Sequence, residues 1–416
     1  MSNIKTAMIV GGGIGGLVTA LKLHRVGVSV QVFESVENIK ALGVGINLLP
    51  HAVKVLTELG LEEELEKTGL PTAELIFVNK FGKKIWQEDR GINAGYHWPQ
   101  YSIHRGRLQM LLLKAVKEQL GEEAVIVGHH LKSFQMLGDM VEAQFENRKT
   151  GERLGSYRAD IMIAADGIHS AVRKHYYPNE GIPKFSGRIL WRGITEATPF
   201  LTGKSMIMAG YQDQKFVAYP VCPETAENGR SLVNWIAELT VGDEMPSRAD
   251  WNRQIEKEKF APSFAAWDFG WLNVPKLIEE TNAVYEFPMV DRDPLPQWTF
   301  GRVTLLGDAA HPMYPIGSNG ASQAILDADA LSQAILEQSS AELALKAYEQ
   351  ARLETTANIV LTNRKNGPEV VMQIVEERAP NGFENLEDII TRQELGDIAN
   401  KYKQIAGFDR ETLNSK

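Results

Sequence analysis

Three short stretches of this chain combine residue types that can hold a phosphate-bearing ligand. In the first, Gly11, Gly13 and Gly16 fall in G-x-G-x-x-G spacing within GGGIGG, and Glu34 closes the next apolar run. In the second, IMIAADGIHSAVRKH (161–175), Asp166-Gly167 follows an apolar run and Ser170 begins a short helical segment carrying Arg173. In the third, RVTLLGDAAHPMYPIGSNGASQAILDAD (302–329), Asp308 follows Val303–Leu306 and Gly307, and a Pro/Gly-rich loop leads into a helical segment. In the glycine motif the first glycine permits a tight turn and the second lets a pyrophosphate approach the backbone. The third lets helix and strand pack closely, and the acid accepts hydrogen bonds from a ribose diol. Unpaired N–H groups at a helix start carry partial positive charge and favour a negative group. Each stretch alone also reads as an ordinary strand–turn–helix connection, since Gly-Asp and Asp-Gly are common turn formers. What separates the first from that reading is that strand, helix and Glu34 all stand where dinucleotide binding requires them.

The elements that must position these residues are legible around them. Ile4 to Val10 is strand-like, LVTALKLHRVG is helical and ends at Gly27, a C-cap, and Val28 to Phe33 is the second strand. Gly43 and Gly45 bracket a loop whose backbone suits a flat ring, or a plain turn before a helix from His51 to Gly60. Segment 72–90 alternates around a turn at Phe81-Gly82, and a helix runs from Arg107 to Leu120. Arg105, at its entry, is satisfied equally by a phosphate or a surface acid. AVIVG and MVEAQFE, within 124–147, read as further strands. The composition changes between Gly181 and Tyr285, where Trp191, Trp235, Trp251, Trp267 and Trp271 concentrate. RILWRGITEA, SMIMAG, KFVAYPV and SLVNWIAEL alternate there like strands of an antiparallel sheet. We expect a separate sheet layer inserted into a nucleotide domain; its aromatic face suits a planar organic substrate, or its aromatics are simply core. MVDRDPLPQW (289–298) reads as a loop returning to the first domain, with Asp291 and Asp293 as turn and salt-bridge residues. Apolar Ala324, Ile325 and Ala328 share a stripe of the helix after Gly320, 342–364 is helical, and a polar helical tail follows, to pack on the body or mediate self-association.

At 416 residues the chain has room for two domains or one with a large insertion. Its 44% apolar and 23% charged content is that of a globular protein. A net charge of −9 without a long basic run argues against a nucleic-acid partner. No apolar run reaches the roughly 18 residues that a membrane span needs. MSNIKT leads directly into a strand, leaving no room for a signal peptide. The single cysteine, Cys222, excludes an internal disulfide or cysteine metal cluster and reads as a packing residue. No metal site is expected, and a cytoplasmic protein fits these features best.

GGGIGG with Glu34, then DGIHSAVR, then GDAAHPMYPIGSNGASQAILDA, in this order, resemble the single-component FAD-dependent aromatic hydroxylases from Ile4 to about Arg364. GVGINL, YSIHRG, LWRGIT and EFPMVDRDPLPQW are similar to the branch that hydroxylates methylphenazine carboxylates; salicylate- and urate-hydroxylase-like enzymes lie further off. The resemblance implies an α/β fold: a Rossmann-like FAD-binding domain of glutathione-reductase type, an inserted antiparallel substrate sheet and C-terminal helices. The expected boundaries are 1–73, 100–180 and 286–364 for the FAD domain, 74–99 and 181–285 for the substrate domain, and 365–416 for the tail. It also implies that Gly11, Gly13, Ile14, Gly15 and Gly16 hold the FAD pyrophosphate, and Glu34 with Ser35 the adenosine ribose. Gly45 and Ile46 would lie along the flavin, Arg105 would reach the pyrophosphate or ribityl region, and Leu131 would lie near adenine. Asp166 and Gly167 would serve FAD and nicotinamide handling, and Asp308 the ribityl chain. Pro315, Gly317, Ser318, Asn319, Gly320 and Ala321 would face the flavin pyrimidine edge. Relatives often carry Gly-Gln-Gly where this chain has Ser318-Asn319-Gly320, which bears on loop mobility because serine is less permissive than glycine.

The implied reaction takes NADH or NADPH and molecular oxygen and hydroxylates a small aromatic substrate through a flavin hydroperoxide; in the phenazine branch a ring carboxylate is replaced by hydroxyl. Arg192, Tyr211 and Pro315 are the substrate-side candidates, with Tyr219 and His104 behind them. No second G-x-G-x-x-G is present, so a nicotinamide would visit without a Rossmann site of its own. A monomer or homodimer is expected. An FAD-dependent reductase without oxygen insertion, or a nicotinamide-only dehydrogenase, would use the same glycine turn.

Overall fold

The computed structural model of the protein describes residues 4–222, 229–244 and 253–415; Trp251 and the first three residues lie outside them. The elements that bear on the site are, in chain order, β1 (Thr6–Val10), α1 (Ile14–Arg25), β2 (Ser29–Phe33), β3 (Glu74–Val78), β4 (Lys84–Asp89), α2 (Arg105–Leu120) and β5 (Ile161–Ala164). They continue with β6 (Lys184–Ala197), β7 (Ser205–Tyr211), β8 (Gln214–Pro220), β9 (Ser231–Thr240), β10 (Val284–Asp291), β11 (Val303–Leu305), α3 (Gly320–Glu337) and α4 (Ala341–Asn363).

The first sheet orders its main strands β11-β5-β1-β2, flanked by the two-residue strands Thr299–Phe300 and Val125–Ile126. These four main strands are parallel, and Val10 sits level with both Phe33 and Ala164, itself level with Leu305. The apolar, partly β-branched sequences of β1, β5 and β11 are buried on both faces, as a parallel sheet covered by helices demands, while β2 leaves Ser29 and Gln31 exposed. That register has one consequence above all. The glycine turn, Glu34, Asp166-Gly167 and Gly307-Asp308 each follow the carboxyl end of one of four adjacent strands. Open α/β sheets bind ligands at this edge.

The second sheet has eight strands, in the order Arg253–Gln254, β10, β6, β9, β8, β7, β3, β4. It is not wholly antiparallel as expected: β7 and β3 run parallel, because β3 arrives from the earlier 74–99 excursion. Residues 284–291 form β10 and pair with β6. His130–Leu137 and Met140–Glu146 fall within the expected strand region 124–147, whereas Arg153–Ala159, which pairs with the latter, was not anticipated; its exposed, mixed-polarity residues carry a weak alternation signal.

Side-chain alternation divides the second sheet into two faces. Trp191, Trp235 and Trp267 pack with Phe216, Phe260 and Phe264 in a core on one face. Those tryptophans are core, and the opposite face is the one turned to the first domain. β3 is buried throughout because the tail covers its second side: Leu75 and Phe77 pack with Val371, Met372, Val375 and Leu395. The tail therefore packs on the body. Cys222 is buried. Among the described residues no helix is long and apolar enough to cross a membrane, and no cluster of His, Cys, Asp or Glu could hold a metal ion.

Candidate active site

A cavity of about 620 Å³ opens between the carboxyl edge of the first sheet and the face of the second that lies opposite the Trp191, Trp235 and Trp267 core. It joins the glycine turn (Gly13, Ile14, Gly15), Arg105, Gly167 and Asp308 to Pro315, Ser318, Asn319, Gly320 and Ala321 in one continuous space. The floor is built by the turn itself. Gly11 N–H donates to the Phe33 carbonyl at 2.8 Å, and Gly12 N–H to Glu34 Oε2 at 2.8 Å. A Cβ on Gly16 would stand 2.0 Å from the Gly11 carbonyl oxygen, so only glycine lets α1 start so close to β1. A Cβ on Gly13 would meet nothing within 4 Å. Space is left in front of the helix start, where a phosphate group would lie.

Two helix N-termini face this space. No side chain caps α1 at Gly13 or α3 at Asn319. Neither end has an acid in its first turn, so the positive helix end is left for a ligand. Asp308 is open to the cavity, and burial by the walls raises its carboxyl pKa above the ordinary carboxylate value. The Asp308 turn is held from behind. Asp327 accepts from Gly307 N–H at 3.0 Å, from Arg352 at 2.8 Å and from His311 at 2.5 Å. Burial alone would raise the Asp327 pKa, but His311 and Arg352 together bring it down to about 2. Arg173, 1% exposed, ties the Asp-Gly segment to the same turn by donating to the Ala309 and Ala310 carbonyls at 3.2 and 2.8 Å.

The opposite wall comes from alternate residues of the second sheet: Leu190 and Arg192 on β6, Met206 and Met208 on β7, Lys215, Val217 and Tyr219 on β8, Ile236 and Glu238 on β9, Phe287 and Met289 on β10. It is mainly aliphatic, with two aromatics, not the aromatic face expected. Arg192 donates to the Gly45 carbonyl at 3.0 Å, and its guanidinium stands 5.8 Å from the Phe287 ring. Its Nε has no hydrogen-bond partner, and no carboxylate pairs with it among the described residues. Burial lowers its pKa. Tyr219 also hydrogen-bonds it, but a half-buried guanidinium with no carboxylate partner is costly unless a ligand completes it.

Several expected residues stand elsewhere. Tyr211 is a correction: with Ile207 and Ala209 it has the opposite parity to Met206 and Met208, and it lies under Lys80, 5.4 Å from the ammonium, away from the cavity. His104 caps α2 by accepting from Arg107 N–H. Leu131 packs in the main core, and Glu34 and Ser35 lie beside the glycine turn and outside the cavity lining. Gly45, whose N–H donates to Asn234 at 2.7 Å, fastens its strand to the second sheet, and Ile46 lines the cavity. Asp166 Oδ2 accepts from Ala171 N–H at 2.8 Å, while its buried Oδ1 has no partner. Asp291 is held by Arg364 at 2.7 and 2.9 Å, a salt bridge as expected.

The Pro315–Gly320 loop carries its own constraint. Gly317 and Ser318 both have left-handed backbones, φ 68° and 57°. Tyr402, from the tail, accepts from Asn319 Nδ2 at 2.9 Å and donates to Asn363 at 2.9 Å, pinning the loop. Left-handed backbone costs a serine about 1–2 kcal/mol and the added freedom of an unfolded glycine offsets part of it. Ser318→Gly should therefore stabilise the protein by up to about 1 kcal/mol, read as a higher denaturant midpoint with unchanged slope; a lower midpoint would contradict the strain. Behind the loop, burial and then Arg352 depress the His51 pKa to about 3. The unfolded histidine gains its proton below the ordinary 6.5 and the folded one only near 3, so stability is full above that window and falls as pH drops through it. We expect His51→Gln to abolish about 2–3 kcal/mol of the loss between pH 7 and 4.5. Equal acid sensitivity of variant and wild type would refute this.

Sequence reasoning missed Asp327, Tyr402, Lys215, Glu238 and Glu369, and named Arg173 without giving it a role. Arg173 had a signal, an arginine in a short helix beside a motif. The others come together only through packing.

A profile of the family described as FAD binding domain matches residues 4–362. The phenazine 1,6-dicarboxylic acid hydroxylase PhzS of Lysobacter antibioticus is 45% identical over 86% of this chain and 88% of its own. The salicylate hydroxylase of Pseudomonas putida is 28% identical over 86% and 84%. Among solved structures, Klebsiella pneumoniae HpxO complexed with FAD and uric acid superposes with a TM-score of 0.72 at 21% identity, covering 100% of this chain and 96% of that one.

Proposed function

Because this chain belongs to the FAD binding domain family and is a flavin-dependent, NAD(P)H-consuming aromatic monooxygenase, we propose that its substrate is a phenazine carboxylic acid. In this reading the carboxyl group is replaced by hydroxyl. One carboxylic acid, one O2, one NAD(P)H and one proton become one phenol, one CO2, one water and NAD(P)+. The observation that carries the reading is Arg192, a half-buried cation without a carboxylate partner among the described residues, set among Leu190, Ile236 and Phe287. The 45% identical phenazine 1,6-dicarboxylic acid hydroxylase supports the ring system.

The residues present fit FAD. Gly13 with the open helix start of α1 would hold its pyrophosphate, the open start of α3 its pyrimidine edge, and Asp308 its ribityl chain. Bound FAD supplies the redox chemistry, taking a hydride from NAD(P)H and delivering one oxygen atom of O2 to the ring. The chain's own residues do the rest. Arg192 orients the substrate carboxylate by charge-assisted hydrogen bonds. The α3 N-terminus and the Pro315–Gly320 loop stabilise negative charge at the ring edge. Met206, Met208, Val217, Ile236 and Met289 keep water from the reacting carbon. Gly167 and Asp166 would border the nicotinamide approach. A cytoplasmic monomer or homodimer is part of the same proposal, supported by the lone buried thiol.

Incubation of the purified protein with NAD(P)H, oxygen and phenazine 1,6-dicarboxylic acid tests this. The expected product has lost CO2 and gained one oxygen atom. NAD(P)H oxidation yielding only hydrogen peroxide would overturn the substrate assignment.

A further inference from the structure

The chamber wall carries a second polar feature, away from Arg192, which the reaction above does not use. Lys215 Nζ lies 2.9 Å from Glu238 Oε2 and 2.5 Å from Glu369 Oε2, and Arg188 Nη1 is 2.9 Å from Glu238 Oε1. Lys215, Glu238 and Glu369 all line the cavity, among Met206, Met208, Val217, Ile236 and Met289. The four side chains are buried: Glu238 is 2% exposed, Arg188 and Lys215 4%, and Glu369 6%.

Their charges sum to zero, so no ligand is needed to neutralise them. Yet buried ion networks seldom improve stability over apolar packing of the same volume. Placed on a substrate wall, such a network instead confers selectivity, because ligands that leave its polar groups unpaired are rejected. Lys215 has three N–H donors, and the two carboxylates occupy two of them. The third is left for an oxygen on the ligand.

Position fixes which part of the ligand that is. Arg192 pairs across β6–β9 with Ile236, which pairs across β9–β8 with Val217, and Lys215 is two residues further along β8. Strand spacing and rise put the Arg192 and Lys215 backbones roughly 12 Å apart on the same sheet face. A fused three-ring system with a substituent at each end spans such a gap; a single-ring substrate held at Arg192 does not.

We propose that Lys215, held by Glu238 and Glu369, is a specificity-determining subsite that donates a hydrogen bond to a carboxylate or hydroxyl oxygen on the ring of the substrate remote from Arg192. This rests on the phenazine reading and deepens it: the chain selects ring systems substituted at both ends over those substituted at one.

The test compares phenazine 1,6-dicarboxylic acid with phenazine 1-carboxylic acid, measuring both steady-state turnover and calorimetric binding to the FAD-loaded protein. Lys215→Met leaves two buried carboxylates short of a cation, so it is paired with the double variant Lys215→Met/Glu369→Gln. That variant keeps the Arg188–Glu238 ion pair and a neutral cluster. Wild type should favour the dicarboxylate. The double variant should lose roughly tenfold to a hundredfold of that affinity, the share of one charge-assisted hydrogen bond, and the preference for the dicarboxylate over the monocarboxylate in kcat/KM should fall by the same factor. Equal losses on both compounds, or none on either, would overturn the subsite while leaving the substrate class standing. A wild type that neither binds nor turns over either phenazine would overturn the substrate reading, and the subsite with it.

Discussion

Gly13→Ala should give a folded protein that no longer retains flavin. Gly13 has φ −76° and ψ −179°, a backbone alanine adopts freely, and its added methyl would meet nothing within 4 Å. The fold loses only the difference between glycine and alanine as a helix N-cap, about 1 kcal/mol or less. The methyl would project into the space before the α1 N-terminus, where the pyrophosphate must make close backbone contact. Overpacking there and lost charge-assisted hydrogen bonds should weaken FAD binding on the order of a hundredfold or more. Fluorimetric FAD titration, with far-UV circular dichroism of both apoproteins, reads the two effects separately. Gly16→Ala makes the contrast: its methyl would meet the Gly11 carbonyl oxygen at 2.0 Å, so fold and flavin should fail together. If Gly13→Ala binds FAD like wild type, the turn does not carry the phosphates.

Arg192→Met should cost turnover on the order of a hundredfold while leaving stability within about 1 kcal/mol of wild type. Removing the guanidinium deprives the Gly45 carbonyl of one donor, a loss of about 1 kcal/mol. Against that stands relief from burying a cation whose Nε is unsatisfied and which no carboxylate pairs among the described residues. Methionine fits among Met206, Met208 and Met289 and keeps the wall apolar. A residue present for the fold loses stability and activity together when removed; one present for the ligand loses only activity. Thermal unfolding and NAD(P)H oxidation on the same samples separate the two. A large drop in midpoint with proportionate loss of rate would make Arg192 structural.

The part of this site made by the first sheet was legible because each motif is local. A strand, a glycine and an acid adjacent in sequence stay adjacent in space, and a parallel register then brings Gly11, Glu34, Asp166 and Asp308 to one edge. The substrate wall was less legible. Period-two alternation separates the two faces of β6 to β9 but does not say which one meets the cavity, so the tryptophans suggested an aromatic chamber and Tyr211 was placed on the wrong side. The Asp327–Arg352 support, the Tyr402 brace and the Lys215–Glu369 pair join residues 25, 83 and 154 positions apart. No local pattern signals such pairings, because they arise from packing of elements whose own sequences read as ordinary helix and strand.

A crystal structure of the FAD-loaded protein tests the central claim most directly. The account predicts one extended cofactor, with phosphates at the Gly13–Gly16 turn, ribityl hydroxyls beside Asp308, and the ring between the Pro315–Gly320 loop and the Arg192 face of the second sheet. Flavin density that leaves either the glycine turn or Asp308 untouched, or that places the ring on the tryptophan side of the sheet, would contradict it.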